Sequence, residues 1–127
     1  MGFFGNFLTR LEKGVFIGLA QGICKKMSTA YNSLVSMHPN PSDILRQGYL
    51  IEAINQLPNW EEINDTTVKH KKGRTLEVKA TDDLITAIKK VIEVEVLYMT
   101  EGRSVMEFAE WKKEALGEVD NYFKGNI

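Results

Sequence analysis

Thr81 to Gly102, TDDLITAIKKVIEVEVLYMTEG, is the longest stretch in which apolar residues recur at one period without a break. Whatever the chain folds into must bury one side of it. At about 100° per residue, Leu84, Ile88, Val91, Ile92, Tyr98 and Met99 share a face, with Lys89, Lys90 and Glu93 opposite. Thr81 is the expected N-cap, followed by Asp82 and Asp83 where exposed N–H groups and the positive helix end favour negative charge. Gly102 is the expected left-handed stop. Ile92-Glu93-Val94-Glu95-Val96 alternates and is β-branched, which is a strand pattern. The flanking period and the two end signals decide for helix. On that reading Glu95 sits in the middle of an apolar face.

A second helix is expected directly after Gly102-Arg103, because Ser104-Val105-Met106-Glu107 has the form of a capping box. It should run to about Phe123 with Val105, Phe108, Ala109, Leu116, Val119 and Phe123 inward and Lys112 among them. So short a connection makes the two helices antiparallel neighbours. Residues at one level of such a pair have numbers summing to about twice that of the turn. Glu95 and Lys112 satisfy this, so the sequence predicts a buried ion pair between them.

The chain opens on a different problem. Phe3, Phe4, Phe7, Leu8, Leu11 and Val15 share one helical face, while Met27, Ala30, Tyr31 and Leu34 share another displaced by roughly 160°. Between them lie Gly14, Gly18 and Gly22 at four-residue spacing. Each interior glycine costs about 1 kcal/mol of helix relative to alanine. Either the helix breaks there, or another helix backbone approaches along the stripe. Residues 1–37 are therefore read as a glycine-interrupted amphipathic segment. Phe3, Phe4, Phe7, Gly14, Gly18 and Gly22 are its candidate contacts with a protein partner or a second copy.

The uncharged run between Lys13 and Lys25 is 11 residues, against about 20 for a membrane span. No span is expected; contact with a membrane surface through the phenylalanines is an alternative. A secretory signal is not expected either, for want of a basic start and a small-residue cleavage site.

Asn40-Pro41-Ser42-Asp43 reads as N-cap, proline at N1 and an acid at N3, opening a helix that Pro58 ends. Trp60 and Ile63 are expected in a short turn or helix. Residues 66–78 form the one expected β element, a hairpin with Lys71-Lys72-Gly73 as its loop and Gly73 left-handed. That register pairs His70 with Arg74 and Val68 with Leu76, and puts Val68, Leu76 and Val78 on one face. Lys69, Lys71, Lys72 and Arg74 make its tip basic and are candidate phosphate contacts. A charged tip also keeps strand edges from pairing, which is the preferred reading.

The 127 residues, 43% hydrophobic, suit one mainly α domain: a compact helical bundle with one small hairpin. Sixteen Lys and Arg against 17 Asp and Glu give a net charge of −1, so no global pull draws the chain to nucleic acid. The single cysteine, Cys24, forms no internal disulfide, and the cytoplasm is the expected location. His38 and His70 have no ligand-spaced partners, so neither a metal nor a cofactor is expected. Nothing marks a catalytic centre. The expected role is that of a non-catalytic adaptor or assembly component. Nucleic-acid binding at the hairpin tip and a small-ligand or enzymatic pocket around Glu95 are the alternatives.

Overall fold

Seven elements follow one another along the chain: α1 (Phe3–Met37), α2 (Asp43–Asn55), β1 (Trp60–Asn64), β2 (Thr67–His70), β3 (Thr75–Glu77), α3 (Leu84–Met99) and α4 (Val105–Gly125). They come from a computed structural model that describes residues 3–125, with side chains from Arg10 onward. The protein is mainly α, 67% helical, with a small three-stranded antiparallel sheet. Two compact units form: one takes the chain up to Gly22 and from Ile92 onward, the other Ile23–Val91.

The glycines do not break α1, which is one helix of 35 residues. In the first unit it buries Phe16 and Ala20. Phe16 stacks on Trp111 of α4, ring centroids 4.8 Å apart and planes 14° from parallel. Around this pair, Arg103 reaches Glu12 at 2.9 Å, Lys13 approaches Glu114 at 3.7 Å, and the Gln21 amide donates to Glu118 at 2.6 Å. The aromatic stack supplies the burial and the surrounding charges fix the register of the two helices.

α4 starts as expected. Gly102 is left-handed at φ 85°, and the Ser104 hydroxyl accepts the Glu107 N–H at 3.1 Å. Its inward face is nevertheless different. Trp111, Ala115 and Val119 are buried, a face turned about 70° from the expected one at 100° per residue. Val105, expected inward, is 83% exposed. The large Trp111 ring finds a partner in Phe16, and that stack outweighs a fit based on counting aliphatic residues.

In the second unit α1 continues its buried face through Ile23, Cys24 and Met27. α2 packs against β1 and β2 and buries Tyr49, Leu50, Ile51, Ala53 and Ile54. Tyr31 meets Tyr49 edge-on at 6.3 Å, and the Tyr49 hydroxyl donates to the His38 carbonyl. The N-cap of α2 is Ser42, whose hydroxyl accepts the Leu45 N–H at 3.2 Å. Asn40 instead holds a left-handed turn at φ 55°, a conformation asparagine tolerates. The cap therefore lies two residues after the expected one.

The hairpin register is the expected one: Val68 faces Leu76, the His70 N–H donates to the Arg74 carbonyl at 2.8 Å, and Gly73 is left-handed at φ 112°. Val68, Leu76 and Val78 are all buried. The sheet, however, has a third strand. Trp60–Asn64, expected as a turn or helix, forms β1 along the other edge of β2, with Trp60 opposite His70 and Glu61 opposite Lys69. Only Trp60 of this strand is buried. An edge strand with one inward residue carries no alternation, and so no periodic signal.

α3 is helical throughout Ile92–Val96; its regular hydrogen bonds override the β-branched alternation. Ala87, Ile88, Val91, Ile92, Val94 and Val96 are buried, more than half the circumference. Asp83 caps it rather than Thr81: the Thr86 N–H donates to the Asp83 carboxylate at 2.8 Å. Thr81 loses the role because Asp82, between them, is committed elsewhere.

Candidate interaction surface

That commitment is part of a polar cluster in the second unit. Asp82 is buried, and its carboxylate accepts from Lys90 Nζ at 2.6 Å and from the Lys79 N–H at 2.9 Å. Arg46 of α2 donates to the carbonyls of Ala80 and Asp82, and Gln47 to that of Val78. Together they pin the β3–α3 connection to α2. Burial pushes the Asp82 carboxyl up, but the Lys90 bond, the Lys79 N–H and the two lysine charges outweigh it and hold it below the usual range. The Thr86 backbone N–H and hydroxyl do the same for Asp83. These bonds fasten the β3–α3 connection to α2.

Glu95 is 9% exposed, and it lines neither of the two grooves described below. Lys112, the partner expected for Glu95, has its Nζ 3.8 Å from Glu93 and 5.3 Å from the Phe108 ring centroid. The rotation of α4 explains this. With Trp111 inward, Lys112 falls on the flank, where its stem lies along apolar surface and its ammonium reaches water.

At the hairpin tip Lys71, Lys72 and Arg74 are exposed, while Lys69 is half-buried with Glu61 opposite it on β1. Residues directly opposite in a sheet share a face, so an acid accompanies the basic row. His70 is not part of the exposed tip. It is buried, meets Trp60 edge-on at 5.1 Å, and its Nδ1 accepts the Lys72 N–H at 3.1 Å. It shapes the loop from inside.

The outer side of α1 in the first unit carries a surface that no described residue covers. Leu11 is 54% exposed and Val15 56%. Gly14, Gly18 and Gly22 are exposed and fall on the same side at helical spacing. A Cβ built at any of the three meets nothing within 4 Å. The close backbone approach that would explain the stripe is therefore not made among the described residues. Phe3, Phe4 and Phe7, placed with Leu11 and Val15 by the sequence, lie outside the described side chains.

Two grooves open among the described residues. One, of about 490 Å³, runs between α1 and α4 beside Lys13 and Glu114, whose charges already satisfy each other. The other, of about 710 Å³, lies between α1 and α2 with Ala30 and Leu34 inside it and Lys25 and Lys26 at its rim. Among the described residues no three His, Cys, Asp or Glu side chains gather as metal ligands. No helix among them is long and apolar enough to cross a membrane. Comparison of the chain with protein-family models, curated proteins and solved structures finds no match.

Proposed function

We propose that this chain is a non-catalytic assembly component or adaptor, working in the cytoplasm, whose protein contacts are made by the outer face of the first half of α1. The observation that supports this reading is the open glycine stripe flanked by exposed Leu11 and Val15. Three interior glycines weaken a helix by about 1 kcal/mol each, and bare backbone is useful where another helix must come close. Since no described residue of the chain uses that closeness, a partner helix is the occupant that fits.

Folding and function are separable at these positions. Gly18→Ala should raise the stability of the isolated chain by up to about 1 kcal/mol, because the added methyl meets nothing. Gly18→Leu should keep the fold and the melting temperature yet lose the partner complex, read by affinity capture beside the unaltered chain and sized by native mass. A Gly18→Leu chain that keeps its complex removes this face from the reading.

The hairpin tip is the second reading, favoured by the exposure of Lys71, Lys72 and Arg74. Salt-dependent retention on RNA or DNA, lost when these three become glutamine, would put it first.

A further inference from the structure

We infer that the groove between α1 and α2 receives the first turn of α4 from a second copy of this chain, so that copies associate head to tail. The two surfaces are complementary in charge and in spacing. Lys25 and Lys26 at the rim of the groove are exposed and have no ion-pair partner among the described residues. Ala30 and Leu34 follow Lys26 at successive four-residue steps, so a cation is succeeded one and two turns on by an apolar floor. On the opposite wall Glu52 accepts from the Gln56 amide at 2.8 Å; it is the one acid in the lining against two lysines on α1.

The start of α4 has the converse pattern. Val105 is 83% exposed and Met106 82%, the two most exposed large apolar side chains among the described residues. Glu110 follows Met106 by one turn, is exposed, and has no ion-pair partner among the described residues. Residues four apart on a helix lie about 5–6 Å from each other. An apolar-to-acid step of that length on α4 therefore matches the cation-to-apolar step from Lys26 to Ala30. With Met106 seated over Ala30 and Leu34, Glu110 meets Lys26. Methionine suits a shallow floor of this kind, being unbranched and adaptable.

The two patches differ, so the contact is heterologous: each copy offers one groove and one α4 start, and association continues until a ring closes or a chain of copies grows. None of these residues belongs to the α1 face of the proposed function, so either interface can fail without the other.

The test uses two full-length variants. Lys25→Glu with Lys26→Glu removes the groove's charge, and Val105→Asp with Met106→Asp removes the apolar insert. All four side chains are exposed, and circular dichroism with a melting curve checks that both variants fold. Sedimentation velocity over a concentration series should show the unaltered chain associating and each variant alone remaining a monomer. Mixed one to one, the variants should recover a heterodimer that grows no further, because one intact groove meets one intact insert. A third chain, Lys26→Glu with Glu110→Lys, should associate again, whereas Lys26→Glu alone should not. An unaltered chain that stays monomeric throughout the series, variants that associate as it does, or a mixture without heterodimer would each overturn the proposal.

Discussion

Trp111→Ala should lower the unfolding free energy by about 3–5 kcal/mol, the usual loss for emptying a buried tryptophan site. Trp111 is buried and stacks on Phe16, and such a pair adds about 0.5–1.5 kcal/mol beyond the area it removes from water. The ion pairs and the Gln21–Glu118 bond around it are on the surface of the same helix pair; exposed pairs of that kind are worth about 0–1 kcal/mol each. The rings therefore dominate the energetics of the first unit. Urea unfolding followed by circular dichroism gives the free energy, and Trp111→Phe, which keeps a ring for Phe16, should lose clearly less than Trp111→Ala. A loss below about 1 kcal/mol for alanine would mean that the stack is incidental.

The second large effect is set by pH. Asp82→Asn removes the charge that Lys90 and the Lys79 N–H hold. Hydrogen bonds to charged groups are worth about 1.5–3 kcal/mol net, and the lower end applies because the Lys90 side chain remains 30% exposed. Both Asp82 and Asp83 have folded-state carboxyls held below their ordinary value. A group depressed in the folded state contributes stability that is complete above its unfolded value, about 3.9 for aspartate, and is lost as the pH falls through the lower folded value. The gap between the unaltered chain and Asp82→Asn should thus be full near neutrality and close below about pH 4. Denaturant midpoints measured from neutral pH downward decide it. A gap that stays constant across that range would show that the carboxylate charge plays no part in pinning the β3–α3 connection.

Legibility in the sequence followed the range of each interaction. The β2–β3 register was readable because Lys71-Lys72-Gly73 is local chemistry: one glycine at one loop position decides which residues face each other. Gly102 and Ser104 were readable for the same reason. Helix caps were half readable. Asn40 and Ser42, and again Thr81 and Asp83, are rival caps within a few residues, and distant partners choose between them. Arg46 and Lys90 occupy Asp82 and its carbonyl, which leaves Asp83 for α3. The inward face of α4 was not readable, since Trp111 is selected by a ring on α1 rather than by its own neighbours. β1 left no periodic trace at all. Of the proposed α1 surface, the glycine spacing was visible in the sequence, but the open space in front of it is a property of the fold.

The strand-like alternation inside α3 has its consequence in the chain before it folds. Extended, Ile92, Val94 and Val96 line one edge and Glu93 and Glu95 the other, the arrangement that lets short segments of many chains stack into fibrils. Glutamates at alternate positions set like charges above one another in such a stack and oppose it. In the finished helix the same two residues part company, Glu93 at the surface beside Lys112 and Glu95 inside. Seen from the nascent chain, the two glutamates that the helix separates stand together on one side of the extended segment and oppose its stacking.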